Sequence, residues 1–370
     1  MLLSGKSSKE NGGICRMNGK ENKKRAYSGS MSLKERRRRR RNRRIAALLA
    51  SVVCMVAAGM FVWKIGSALL EGKEPLGAFA VNAPTATPQP TPTATPIPTP
   101  EPVPTSSLSA DAIQSGHALL VREKDGSVVW SKGDSTQRVW PASITKIMTA
   151  LVALENQTDL TQTFTMPYEI YQPLFDENAS MAGFWSGESP TIQDLLYGTM
   201  LPSGADAAVG LAIATAGSED AFVQMMNEKA AALGMSNTHF SNVWGIHQED
   251  HYSTPQDLMI LLQAAVKNQK LKEIMSTATY TTQPLSAHAE GVSMKHSVLT
   301  NPLLEQAIDF TLLGGKTGFT DQAGLCLASF AQKGEESFLL VTTGAMATLD
   351  NMQPLHVQDA ITIYSSIVLP

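Results

Sequence analysis

Short apolar runs at 117–121 and 127–132 flank Asp125-Gly126, the pattern of two antiparallel strands joined by a tight turn. From 141 to 155 the period changes. Ile144, Ile147, Met148, Leu151 and Val152 recur three and four apart, which predicts a core helix with Pro141 in its first turn. Further helical patterns cover 191–200, 204–216, 219–233 (closed by Gly234) and 254–267, the last with Ser253 or Thr254 as cap and Pro255 in its first turn. Strand character returns at 325–332 and 337–344 around Lys333-Gly334, and a last helix fits 354–367. Strands at both ends with helices between them predict an α+β domain, its antiparallel sheet built from both chain ends around a mostly helical middle. No internal repeat is visible.

The chain upstream of this pattern is of another kind. Residues 45–63 carry no charge, and at ~1.5 Å per residue such a helix matches the ~30 Å hydrocarbon core of a bilayer. Arginines at 36–41, 43 and 44 precede it and mark the cytoplasmic side, so the rest is expected outside the cell membrane. The competing expectation is a cleaved signal peptide ending at Ala78-Phe79-Ala80, but the apolar run exceeds the ~7–15 residues of a signal core. Between Pro84 and Pro104 nine prolines interleave with threonines, a composition that favours an extended spacer over a packed core. The predicted organisation is a basic cytoplasmic tail (1–44), a transmembrane anchor (45–66), a Pro/Thr-rich stalk (67–106) and one catalytic domain (107–370).

Charge narrows the partners. The net is −3, but residues 1–44 hold 16 of the 30 Lys and Arg against three acids, leaving 14 bases against 30 acids downstream. A nucleic-acid partner is therefore not expected, and the arginine block beside an apolar span is read as an anchoring signal. Cys15, Cys54 and Cys326 fall in three different segments, which supports neither a disulfide framework nor a cysteine metal site.

The start of the first core helix places Ser143 and Lys146 at i and i+3, neighbours on one face turned away from the apolar stripe. A serine hydroxyl becomes a nucleophile when a base takes its proton, and a lysine serves if burial and a second cation depress its pKa. Alone, such a pair is commonplace in helices. Two further elements change its meaning. Lys316, within Gly314-Gly315-Lys316-Thr317-Gly318-Phe319-Thr320, can stand on a strand and supply the second cation, and Ser203, between two predicted helices, can present a hydroxyl to the Ser143/Lys146 pair as a proton relay. The ordered trio S-x-x-K, S-x-x, K-T-G is the signature of penicillin-binding proteins and class A β-lactamases.

The domain resembles the serine-type D-alanyl-D-alanine carboxypeptidases, the low-molecular-mass penicillin-binding proteins, from about Ala118 to the last helix. The resemblance runs through PASITKIMT, SGESPTIQDLLYGTMLPSGADAA, LGMSNTHFSNVWGIHQEDHYSTPQDL, LTNPLL and GGKTGFTDQAGLCLAS, in family order. It implies a penicillin-binding/β-lactamase-like fold and a cofactor-free, metal-free serine hydrolase. Such an enzyme removes the terminal D-alanine of peptidoglycan stem pentapeptides through an acyl-enzyme and is acylated by β-lactams. It further implies Ser143 as nucleophile, Lys146 as base, Ser203 as relay to the leaving amine, and Lys316 with Thr317 as carboxylate anchor. Gly318 and Phe319 complete the substrate-binding strand, and the N–H groups of Ser143 and Phe319 form the oxyanion hole.

Two departures stand out. The middle motif of the family ends in Asn where this chain has Ala205, leaving Asp206 or Asn178 as candidates to compensate, and no arginine follows Arg138 to clamp a terminal carboxylate. Ala205 keeps open a peptidoglycan-binding pseudoenzyme, and the motif set itself keeps open a class A-like β-lactamase. His247 and His251 have a metal-ligand spacing but no HExxH context and are taken as structural. Cys326 is assigned to the core, and Asp176 and Glu177 to a solvated loop. The sequence stops after the last helix, so the further C-terminal β domain and amphipathic anchor of many relatives are not expected.

Overall fold

Strands β1 (His117–Arg122) and β2 (Val128–Lys132) pair antiparallel, as the two apolar runs predict. The turn between them is fixed by the Asp125 carboxylate, which accepts from the Ser127 N–H and hydroxyl and pairs with Arg122, and by Gly126 at φ +72°. These elements belong to a computed structural model that describes residues 103–306, 308–346 and 353–370. The basic tail, the apolar run assigned to the membrane and the stalk up to residue 102 lie outside the described residues. Among the described residues no helix is long and apolar enough to cross a membrane.

Three long strands follow near the other end of the chain: β5 (Thr311–Thr320), β6 (Gly324–Lys333) and β7 (Glu336–Ala345). The sheet order is β2-β1-β7-β6-β5, every neighbouring pair antiparallel, with His117 opposite Thr343 and Arg122 opposite Phe338. This is the expected sheet built from both chain ends. Its central strands read as apolar runs because both faces are covered. Leu119, Val121, Cys326, Ala328, Leu339 and Val341 pack into the core beneath the helical middle, while Ala118, Leu120, Leu327, Phe338 and Leu340 pack on the opposite face with the last helix, α8 (Leu355–Ser365). Cys326 is fully buried and its thiol is pushed up to about 12 by burial, in keeping with its assignment to the core.

The middle supplies α1 (Thr145–Asn156), α2 (Tyr171–Asp176), α3 (Ile192–Met200), α4 (Ala205–Ala216), α5 (Glu219–Leu233), α6 (Pro255–Lys267) and α7 (Gln269–Met275). The pattern missed α2, six residues with an internal Pro173, and α7, which follows α6 at once because Asn268 ends one helix and caps the next through its side chain. It also missed the small hairpin of β3 (Thr279–Thr281) and β4 (Ser293–Lys295), too short to show a period.

The start of the first core helix departs from expectation. Ala142–Ile144 form a 3-10 turn and α1 begins only at Thr145, because Ala142 takes a left-handed φ of +48° that an α-helix excludes. Gly245, at φ +89°, packs against this turn. A Cβ there would stand 2.0 Å from the Ala142 carbonyl oxygen and 2.9 Å from the Ser143 nitrogen, so the loop reaches the turn only as glycine.

Candidate active site

The 3-10 turn points Ser143 into a pocket of about 730 Å³ whose wall also includes Lys146, Ser203, Thr317, Gly318 and Phe319. Lys146 Nζ lies 3.0 Å from Ser143 Oγ, confirming the i, i+3 placement, and donates to the Trp244 carbonyl at 2.7 Å. The face that carries Lys146, turned away from the apolar stripe, is buried as well. Thr145 to Ala153 are all buried, and Lys146 is 1% exposed. Burial, then the charge of Lys316, holds its amine well below the ordinary lysine range, while Asp206 works in the opposite direction.

The second buried amine is Lys316 on β5, pushed down to about 7 by burial. Its Nζ donates to Ser203 Oγ at 2.8 Å and to the Thr317 carbonyl at 2.8 Å. Ser203 therefore hydrogen-bonds the Lys316 side of the site rather than the Ser143/Lys146 pair to which it was expected to be presented. It is held in a left-handed backbone conformation, φ +64°, uncommon for a serine and typical of strain stored at functional positions.

Lys316, Thr317, Gly318 and Phe319 lie on β5, an outermost strand of the sheet, so one edge of its backbone is left unpaired by sheet neighbours. A Cβ on Gly318 would fall 3.0 Å from the Ser143 nitrogen, so the strand passes directly against the turn that carries Ser143, with Phe319 next along it. Thr317 Oγ1 is 2.9 Å from Ser297 Oγ, and both residues line the pocket. Neither Ser297 nor the Trp244 carbonyl was singled out from sequence. A carbonyl acceptor leaves no signature in residue type, and Ser297 adjoins LTNPLL without belonging to a motif.

Ala205 is buried at the first position of α4 and takes no part in the pocket wall, its N–H donating to the Ser180 carbonyl at 2.7 Å. Asp206 does not fill the gap either. Its buried carboxylate accepts from the N–H groups of Ala182, Gly183 and Phe184 at 2.7, 3.1 and 3.2 Å, fastening the 178–184 segment to the start of α4. Asn178, at φ +50°, lies in the pocket wall beside Glu177. Glu177 is exposed but stands on the pocket rim, and Asp176 ends α2, so these two are not simply a solvated loop.

His251 is buried, accepts from the Ser241 N–H at Nδ1 and lies 2.7 Å from Thr145 Oγ1 through Nε2, tying the start of α1 to the following loop. His247 lines the pocket with its ring edge-on to Trp140. Among the described residues no group of His, Cys, Asp and Glu could hold a metal ion.

Residues 104–347 match the family model described as D-alanyl-D-alanine carboxypeptidase. The D-alanyl-D-alanine carboxypeptidase DacF of Bacillus subtilis is 33% identical over 255 residues, 65% of this chain and 59% of that protein. The D-alanyl-D-alanine carboxypeptidase of a Streptomyces species is 34% identical over 223 residues, 58% of this chain and 75% of that protein. The crystal structure of the Streptomyces K15 DD-transpeptidase superimposes with a TM-score of 0.60 at 29% identity, covering 68% of this chain and 97% of that one. The match thus spans less than two thirds of the Bacillus protein's length. With the penicillin-binding-like α+β sheet and the three motif segments gathered in one pocket, this chain belongs to the D-alanyl-D-alanine carboxypeptidase family.

Proposed function

We propose that the domain is a serine-type carboxypeptidase that removes the terminal D-alanine of peptidoglycan stem pentapeptides through an acyl-enzyme on Ser143, and that β-lactams acylate the same serine. The observation that carries this reading is the pair of fully buried amines, one of them 3.0 Å from Ser143 Oγ. An amine whose pKa is depressed by burial and by a second cation is what a serine hydroxyl needs for activation.

In the proposed reaction Lys146 Nζ takes the Ser143 proton as Oγ attacks the carbonyl carbon of the penultimate residue. The N–H groups of Ser143 and Phe319 hold the resulting oxyanion. The C–N bond then breaks, and the departing D-alanine nitrogen receives, through the Ser203 hydroxyl, the proton that Lys146 took from Ser143, which leaves Lys146 neutral again. Water, deprotonated by Lys146, attacks the ester and returns Ser143. The substrate backbone lies along the free edge of β5 as an added strand, with its terminal carboxylate on Lys316 and Thr317. Release of D-alanine from a stem pentapeptide, followed by mass spectrometry with Ser143→Ala as control, tests the assignment. Release that persists in the variant overturns it.

Asn178 is the residue placed to supply the amide that Ala205 lacks, since Asp206 is engaged with backbone. Asn178→Gly keeps the left-handed backbone comfortable and removes only the side chain. It is expected to lower kcat/KM for the pentapeptide by ~10-fold, the ~1–2 kcal/mol of one substrate hydrogen bond. An unchanged kcat/KM would exclude Asn178 from substrate contact.

The same proposal places the domain on the outer face of the cell membrane, carried by residues 45–66 and the 67–106 stalk. The support is the uncharged run behind an arginine block. Membrane fractions resistant to alkaline extraction should retain the full-length chain, whereas a soluble product beginning at Val81 would contradict the anchor.

A further inference from the structure

One wall of the pocket is formed by a residue outside all three motifs. His356, in the first turn of α8, lines the cavity together with Thr317 and Phe319. It is only 8% exposed, yet its Nδ1 has no hydrogen-bond partner among the described residues. A buried imidazole nitrogen left without a partner is costly, and a water or a ligand that supplies one relieves that cost. The neighbouring charges are Asp359, one turn further along α8, which favours the imidazolium, and Lys316 on β5, which opposes it. Burial is the largest effect, and the ring is pushed down to about 4. At pH 7 the ring is therefore a neutral imidazole, whose N–H is a donor that needs no extra charge beside Lys316.

Asp359 fixes where this ring stands. Its carboxylate accepts from the Gln114 N–H at 2.9 Å and from the Ser115 N–H and hydroxyl at 2.7 and 2.6 Å, locking the start of α8 against the segment that leads into β1. The first turn of an α-helix also carries partial positive charge from its free N–H groups, which favours an anion nearby. No arginine follows Arg138 in the sequence, and none lines the pocket.

We propose that His356 is a specificity-determining contact for the terminal α-carboxylate of the substrate, completing with Lys316 and Thr317 an anchor that this chain builds without arginine. This rests on the carboxypeptidase reading for the identity of the substrate, but the ligand chemistry it names, a carboxylate docked at the head of α8, is common to stem peptides and penicillins.

The test uses the full-length chain and His356→Ala, His356→Gln and His356→Arg, each first checked for a cooperative thermal transition. For a stem pentapeptide with a free C-terminus, His356→Ala is expected to raise KM about 10-fold with kcat within about twofold, and His356→Arg to restore KM. The same peptide with its C-terminus amidated should bind the wild type and His356→Ala alike. A merely structural histidine would lower kcat and KM performance for both peptides and would not be rescued by arginine, and that result, or an unchanged KM, overturns the proposal. If His356→Ala does not fold, His356→Gln takes its place in the comparison. Should the wild type release no D-alanine, the carboxypeptidase reading fails by itself. His356 is then read from acylation of Ser143 by benzylpenicillin, where the second-order rate should fall about 10-fold in His356→Ala and recover in His356→Arg. An unchanged acylation rate overturns the proposal in that case too.

Discussion

Lys146→Met lowers the rate of Ser143 acylation by ~10³-fold, within the ~10²–10⁴ of a general base, without destabilising the fold. The first half follows from geometry. Lys146 Nζ, at 3.0 Å, is the amine hydrogen-bonded to Ser143 Oγ, and the Trp244 carbonyl on its other side accepts hydrogen bonds but takes no proton. The second half follows from linkage. Burial holds the Lys146 amine well below its unfolded value, so between those two values the unfolded chain binds the extra proton and stability rises with pH. At neutral pH folding must therefore either expel that proton or bury the charge, and Met, of similar length and apolar, removes the penalty. Acylation by benzylpenicillin, read as a mass adduct over time, and a denaturation midpoint measured beside it check both halves. A variant that loses stability but keeps its acylation rate would show that Lys146 holds the helix rather than activates the serine.

Lys316→Met lowers kcat/KM for the pentapeptide by ~10²-fold or more, because a carboxylate docked in this pocket would lose its buried cation. Lys316 also shapes the pH profile. The proposed reaction needs Lys146 neutral and Lys316 charged, so kcat/KM should be bell-shaped. Its acid limb rises as Lys146 loses its proton, and its alkaline limb falls near pH 7, where Lys316 loses its own in the free enzyme. Lys316→Met removes the cation that depresses Lys146, so the acid limb should move to higher pH and the alkaline limb should vanish. Lys316→Arg keeps its charge at any working pH and should also lack the alkaline limb, though a planar guanidinium in a space shaped for an amine is expected to raise KM. Profiles identical in all three proteins would exclude Lys316 as the group that titrates.

Much of this site was legible before the fold was seen. Ser143 and Lys146 stand three apart at the start of a helix, and that spacing alone predicts contact between their side chains. The sheet was legible because strands buried on both faces must be apolar along their length, as Leu325 to Ala328 and Phe338 to Val341 are. What stayed hidden depends on positions far apart in the chain. Nothing local to Ser203 says that its hydroxyl meets Lys316, 113 residues on, before it meets Ser143. Nothing in the type of Trp244 says that its carbonyl receives the Lys146 amine. His356 sits on a helix where a histidine reads as ordinary packing, and the hold of Asp359 on Ser115, 244 residues earlier in the chain, ties the start of that helix to the segment before β1. Asn178 was found for the right pocket, whereas Asp206 was offered for a role its three backbone partners already fill.

The central claim is that Ser143 is the residue that becomes acylated. Incubating the full-length protein with a stem pentapeptide, quenching in acid within the steady state and mapping the adduct by peptide mass spectrometry tests it most directly. The account predicts a tetrapeptidyl ester on the peptide that contains Ser143, with one D-alanine released per ester formed, and neither product in Ser143→Ala. D-alanine release without an adduct, or an adduct on another residue, would contradict it.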